Sequence, residues 1–134
     1  NTIVIPISAQ VEADLASLEE EEKKMFLEEL GVEYSGLEML TRATYSLLGL
    51  ETYFTAGTDE LKAWTFTKGM KAPECAGVIH SDFEKGFIKA EVYTYDDIME
   101  YKSELKVKEN GKLRIEGKDY VVKDGDIMYF RFNV

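Results

Sequence analysis

The hydrophobic pattern of this chain changes period once, at Leu50. Before it, apolar residues recur at spacings of three and four: Val11, Leu15 and Leu18, then Phe26, Leu27 and Leu30, then Leu37, Leu40, Thr44, Leu47 and Leu48. That is the repeat of one face of a helix. After Leu50 the runs "TYFTA", "LKAWTFT" and "GFIKAEVYTY" are rich in β-branched and aromatic residues and are broken by turn formers, the pattern of short strands. A chain that switches in this way folds as two pieces, residues 1–50 and 51–134. The class is α+β, and the sheet belongs to the second piece.

The first piece opens with "TIVIPIS", a β-branched run that reads as one strand. It is too apolar to stand alone and suits a sheet whose other strands lie outside this chain. Three helical pieces follow. "SLEE" at 17–20 has the spacing of a capping box, Ser17 accepting while Glu20 reaches back, and "SGLE" at 35–38 repeats it. Gly31 and Gly49 are placed to stop helices. The last helix carries Leu37, Leu40, Leu47 and Leu48 on what should be its inner stripe.

In the second piece "TYFTA" and "LKAWTFT" flank the turn "GTDE". "APECAGVIHSDF" starts a helix near Pro73, with Ala76, Ile79 and Phe83 on one side. "YDDIMEY" is a short helix. "KDYVVKDGDIMYFRFNV" holds two short strands around the turn Asp124-Gly125. The expected order is two strands, a helix, a strand, a short helix and two strands, with a helix packed across a small mixed sheet.

Charge is unevenly placed. The chain of 134 residues carries −10 overall, with 45% hydrophobic and 31% charged residues. Residues 1–50 hold ten acids and three bases; 51–134 hold sixteen and thirteen. This balance argues against wrapping around DNA. One segment runs the other way: 102–118 has six bases against three acids. As a loop turned by Asn110-Gly111, it would offer Lys106, Lys108, Lys112 and Arg114 to phosphates, with Tyr101 or Tyr120 available to stack on a base. No apolar run reaches the roughly 20 residues that span a bilayer, no signal segment opens the chain, and the single cysteine, Cys75, suits a reducing, cytoplasmic setting.

The residues offer little for catalysis. No G-x-x-x-x-G-K-[ST] loop is present to surround phosphates with backbone N–H groups, and no G-x-S-x-G elbow presents a nucleophile. One histidine and one cysteine do not make a zinc site, and no metal ligands are assigned. His80, Ser81 and Asp82 stand together, but triads are assembled from distant positions. The expectation is structural: His80 ends a helix and meets its terminal carbonyls, while Ser81 and Asp82 turn the chain into the next strand. Cys75 has no basic neighbour in sequence to activate it and reads as a packed side chain.

"IHSDFEKGFIKAEV" resembles the signature of the TGS domain, in which an "IH-[ST]-D" helix end leads through a glycine to an "I-x-A" strand. "VVKDGDIMYFRFNV" resembles that domain's closing "DGD" turn and last strand. The match extends along the chain: "SAQVEADL", "LLGLETYFTAG", "KAWTF", "IHSDFEKGFIKAE", "GKLRIEGKDYVVKDGD" and "FRFNV" occur in the order found in the YchF subfamily of Obg-like ATPases. The resemblance implies a β-grasp (ubiquitin-like) TGS domain over 51–134, preceded by the strand and helices that close a P-loop G domain, 1–50. His80, Asp82, Gly86, Asp124, Gly125 and Asp126 become its structural signature. Ser8-Ala9 matches the last guanine-nucleotide motif, whose backbone meets the base. The P-loop, both switches, the N-x-x-E motif and the inserted helical domain do not occur in this sequence, so no catalytic role carries over.

The function expected on that resemblance is that of a C-terminal regulatory module. It would bind a partner or RNA and hydrolyse no nucleotide itself. ATP or GTP with Mg²⁺ would serve the full-length parent, not this part, and the ribosome or ribosomal RNA and the parent's own G domain would be its partners. Two other readings compete: a small hydrolase using His80 and Asp82, and a ubiquitin-like carrier. The second is opposed by "RFNV", which lacks a Gly-Gly tail and whose Phe132 reads as core.

Overall fold

The computed structural model describes residues 2–57 and 60–133. The chain divides into two compact units, Asn1–Leu48 and Gly49–Val134.

The first unit is helical: α1 (Ala9–Ala16), α2 (Glu20–Glu29) and α3 (Gly36–Leu48). The strand expected at its start is not formed; residues 2–8 have no regular structure. A strand is held by its ladder, and the described residues of this unit supply no second strand to pair with it. Ser8 instead caps α1, its Oγ accepting from Val11 N–H at 3.4 Å. The second cap falls two residues later than the sequence suggests. Glu19 N–H donates to Glu22 Oε2 at 3.0 Å, whereas Ser17 ends α1 with its hydroxyl on the Asp14 carbonyl at 2.8 Å. Ser35 does cap α3, accepting from Glu38 N–H at 3.1 Å. Gly36 N–H donates to Glu12 Oε1 at 2.7 Å and ties α3 to α1. The expected inner stripe of α3 is uncovered, with Leu37, Leu40, Leu47 and Leu48 all exposed. Amphipathic spacing defines a face, not what covers it.

The second unit is built on a sheet: β1 (Leu50–Ala56), β2 (Leu61–Thr67), β3 (Phe87–Thr94), β4 (Arg114–Glu116) and β5 (Asp126–Phe132), in the order β2-β1-β5-β3-β4. β1 and β5 are parallel at its centre and the other pairs are antiparallel. The turn expected at 57–60 falls on Thr58 and Asp59, which lie outside the described residues. The helices are α4 (Ala72–Ile79), α5 (Ser81–Lys85), α6 (Tyr95–Tyr101) and α7 (Glu104–Glu109).

Strand alternation sends two sets of side chains to opposite faces. Tyr53, Phe66, Ala90, Val92, Met128 and Phe130 form one core with Ala72, Cys75 and Ala76 of α4. Phe54, Tyr93 and Ile127 form a second with Val107 of α7 and Ile98 of α6. Burying both sides of the central strands explains why β5 reads "DIMYF" without a clean polar alternation. Tyr53 is fully buried, and its hydroxyl donates to the Cys75 carbonyl at 2.8 Å. This bond pins α4 across the sheet. The same burial pushes the Tyr53 hydroxyl well above its usual pKa and the Cys75 thiol up to about 12, so Cys75 is a packed side chain, as its sequence context suggests.

Three expectations in this unit need correction. Residues 102–118 are not a loop: they form α7, the turn at Asn110-Gly111, and β4. Val107 seeds the helix because it fills the second core. Ahead of Asp124-Gly125 there is no full strand, only one bridge between Lys71 and Val121. Phe132 is half-exposed and stacks on Phe83 with ring centroids 3.9 Å apart, so it is not core.

Candidate functional site

The most connected polar site in the sheet unit lies where the chain enters β5. Gly125 sits at φ +81°, a left-handed conformation that glycine adopts without penalty. Its N–H donates to the Thr52 carbonyl at 2.8 Å, and its carbonyl accepts from Tyr95 N–H at 3.1 Å. Asp124 Oδ1 accepts from Thr52 N–H at 2.8 Å. One turn therefore clamps the start of β1 and the start of α6.

Asp126 is 1% exposed, a buried carboxylate. A charge so placed needs full pairing. Tyr120 donates its hydroxyl to Oδ2 at 2.7 Å and Lys123 N–H donates to the same oxygen at 3.0 Å. The Arg114 guanidinium stands 3.9 Å from Oδ1 and donates to the Tyr120 hydroxyl at 3.2 Å. Burial and the bond to Asp126 push the Tyr120 hydroxyl up to about 12. Beside it, Thr94 caps α6, its Oγ1 accepting from Asp97 N–H at 3.1 Å, while its N–H and hydroxyl both donate to Asp97 Oδ2, at 3.0 and 2.7 Å. Burial alone would raise the Asp97 pKa, but these bonds hold it below the usual carboxylate value.

Thr52, Thr94, Tyr95, Arg114, Asp124, Gly125 and Asp126 line an open cleft of about 640 Å³ together with Phe54, Lys123 and Asp96. Its Asp124 and Asp126 carboxylates are occupied by the fold's own donors, and no histidine or cysteine lines it. The arrangement can hold three chain segments in register and offer Lys123 to solvent; it pairs no nucleophile with a base. Among the described residues no group of three His, Cys, Asp or Glu side chains is placed to hold a metal ion.

Asp124, Gly125 and Asp126 meet in this one turn. Gly86 lies at the far end of the sheet: a Cβ there would overlap the Asn133 carbonyl oxygen and lie 2.9 Å from its carbon, and Asn133 N–H donates to the Gly86 carbonyl at 2.9 Å. His80 does end α4, but its ring does not serve terminal carbonyls. It caps the next helix, Nδ1 accepting from Asp82 N–H at 3.2 Å. Ser81 and Asp82 thus belong to α5 rather than to a turn. Asp82 Oδ2 is 3.5 Å from the same nitrogen, in the geometry of an i, i+2 cap, and the hydrolase reading gains no support. Ser8 caps α1 and Ala9 is its first residue.

The four basic candidates are not brought together as one surface. Lys106 and Lys108 flank the buried Val107 on α7, and residues two apart on a helix point about 200° from each other. Lys112 follows the turn at Gly111 and is exposed. Arg114 is drawn inward to Tyr120 and Asp126. Sequence reading missed this Arg114–Tyr120–Asp126 group because nothing in the spacing marks a buried carboxylate. It could have found the Thr94–Asp97 cap, since Thr-x-x-Asp before an apolar pair is a capping pattern.

The family model YchF-GTPase_C, described as a protein of unknown function (DUF933), matches residues 50–133. The chain is 61% identical over its whole length to the "Ribosome-binding ATPase YchF" of Bacillus subtilis, covering 37% of that protein. It is 55% identical over 99% of its length to the protein of the same name from Escherichia coli O157:H7, again 37% of that chain. It thus spans a little over a third of the length of these curated relatives. Among solved structures, the Schizosaccharomyces pombe YchF GTPase superposes with a TM-score of 0.83 at 41% identity, over 96% of this chain and 34% of that one. A GTP-binding protein from Pyrococcus horikoshii, at 20% identity and TM-score 0.63 over 98% of this chain and 38% of that one, shares the fold. This chain belongs to the YchF-GTPase_C family and is homologous to the C-terminal part of the ribosome-binding ATPase YchF.

Proposed function

We propose that this chain is the C-terminal, ribosome-contacting and regulatory module of an Obg-like ATP- or GTP-hydrolysing protein, and that it hydrolyses no nucleotide itself. The observation that carries the reading is 61% identity along the full chain to the C-terminal part of a protein named for ribosome binding and ATPase activity. In this reading residues 51–134 are a TGS domain of β-grasp type. The order β2-β1-β5-β3-β4, with its parallel central pair and α4 across one face, supports that assignment.

Residues 1–50 are then the closing helices of the G domain. Ser8 and Ala9 contribute a backbone contact to the nucleotide base in the parent, where ATP or GTP is held with Mg²⁺ by residues outside this sequence. The setting is cytoplasmic, and the partners are the ribosome or its RNA and the parent's own G domain, not DNA or a membrane. Lys106, Lys108 and Lys112, exposed on and after α7, remain candidates for RNA phosphates. Arg114 serves the fold.

Co-sedimentation of the chain with salt-washed 70S ribosomes tests the reading. We expect association that weakens with salt, because phosphate contacts release counterions. Isothermal titration with ATP-Mg²⁺ and GTP-Mg²⁺ should show no micromolar binding, since no P-loop is present to cradle phosphates. Absence of ribosome association at low salt would overturn the contact role. Turnover of either nucleotide by the chain would overturn the regulatory one.

A further inference from the structure

The two central strands separate before either ends. β1 makes its last pair with β5 at Thr55↔Met128. Beyond that, β5 continues through Tyr129, Phe130, Arg131 and Phe132, each paired with β3 on its other side. The edge of β5 that faces β1 therefore has no strand partner over these four residues among the described part of the chain. Backbone N–H and C=O groups on such an edge are a template for an added strand.

A cleft opens on each face of this gap, and the two share Ala56, Gly57, Met128 and Tyr129 as a common wall. Each is about 290 Å³. On the α4 side Trp64, Ile79, Phe83, Phe130 and Phe132 give the cleft an aromatic and apolar lining, and the ion-paired Lys62 and Glu60, 3.1 Å apart, complete it. On the opposite side it is Tyr93, Tyr129, Glu91, Glu104 and Arg131. There Arg131 is committed to Glu91 at 3.4 Å and lies over the Tyr129 ring at 4.3 Å. Glu104 leaves this second cleft with a net negative charge.

A free strand edge with an apolar cleft on one face and an acidic one on the other matches the period-two alternation of an extended peptide. We infer that this edge binds a peptide segment of a partner protein in extended conformation, added alongside β5. Its alternate apolar side chains enter the Trp64–Phe83–Phe132 cleft and its intervening Lys or Arg side chains meet Glu104. Charge complementarity selects the basic residues, and the stacked Phe83–Phe132 pair offers a ring face to the apolar ones. The inference deepens the ribosome-contact reading by making one contact protein rather than RNA, and it rests on that reading only for where such a basic extended segment would be found.

The test uses the full 134-residue chain and three capped, fluorescein-labelled peptides. One alternates Val or Phe with Lys or Arg. One has the same composition with its apolar residues adjacent. One is the alternating peptide N-methylated along the edge that would face β5. We expect the alternating peptide to shift the amide resonances of residues 129–132 and to raise anisotropy, with the other two about tenfold weaker because each removes one requirement of strand addition. Phe132→Ala and Glu104→Lys should each weaken it several-fold and leave the amide spectrum of the rest of the sheet intact. Equal binding of the N-methylated and alternating peptides overturns the inference, as does binding without shifts at 129–132. An oligonucleotide of ribosomal RNA that moves those amides where the peptide does not would also overturn it. Ribosome co-sedimentation is scored separately. Association without peptide binding sinks this inference alone; peptide binding without association sinks the ribosome reading alone.

Discussion

Among the described residues, the helical unit has one fully covered apolar side chain, Leu15, while the sheet unit has fourteen. Both come from sequence with clear amphipathic patterning. Spacing writes a face into each helix, but only a partner element turns that face into a core, and the sheet unit contains its partners. α4 packs on one side of the sheet and α6 and α7 on the other. In the helical unit α1 and α3 are joined by a hydrogen bond between Gly36 and Glu12, while Leu37, Leu40, Leu47 and Leu48 face solvent. Burial contributes about 25 cal/mol per Å² of apolar area, so the two units should differ in resistance to opening far more than in secondary-structure content.

Amide exchange should give the largest contrast. Residues in α1 and α2 are expected to exchange on the order of 10³-fold faster than those in β1, β3 and β5, because local opening exposes little there and nearly the whole core in the sheet. Mass-spectrometric exchange on the intact chain measures this. Equal protection would mean that the stripe on α3 is covered in solution.

Core truncation sharpens the same comparison. Tyr53→Ala should cost about 4 kcal/mol, the range for deleting a buried aromatic ring, and it also removes the hydroxyl's bond to the Cys75 carbonyl. Leu47→Ala, at 74% exposed, should stay within about 0.5 kcal/mol. Denaturant melts followed by Trp64 fluorescence decide. A large loss for Leu47→Ala would show the helical unit to be better covered than its exposure says.

Within the sheet unit, Gly86→Ala should cost about 2–3 kcal/mol, since its Cβ has to displace the backbone at Asn133. Gly117→Ala, with nothing within 4 Å of the added atom, should be near neutral. The paired melts separate a close backbone approach from a general intolerance of side chains.

His80→Ala should cost about 1 kcal/mol, the usual loss on removing an N-terminal cap, and His80→Asn should recover part of it because an amide oxygen can accept from Asp82 N–H. Full stability in His80→Ala would mean that the bond at 3.2 Å contributes nothing in solution.

A pH dependence separates the buried hydroxyls of the sheet unit from the exposed groups of the helical one. Tyr120 holds its proton to about 12 in the fold, through burial and the bond to Asp126, against about 10 in an unfolded chain. A group whose folded pKa is raised contributes stability below the unfolded value and loses it as pH climbs through the folded one. Melts should therefore soften between pH 10 and 12, and less so in Tyr120→Phe. Tyr53, Cys75 and Tyr93, raised in the same direction by burial, set the slope that remains.

Much of this was legible in the residues themselves. The strands at β1, β2, β3 and β5, and α6 over "YDDIMEY", follow from period and turn chemistry, which act within a few residues and so can be read locally. Gly125 and Gly31 announce themselves because only a left-handed backbone makes such turns. What the tertiary structure decided depends on distant partners. "TIVIPIS" has strand composition yet forms no strand, because a ladder needs a neighbour that sequence preference cannot supply. "ELKVKE" reads as a charged loop yet folds as α7, because Val107 has a core to enter. Arg114, Tyr120 and Asp126 carry no mutual spacing rule, and the sheet register alone brings a buried carboxylate to its donors. The gap between β1 and β5 is the same kind of fact: each strand reads plainly by itself, but where they part company is fixed only by how the whole sheet twists and packs.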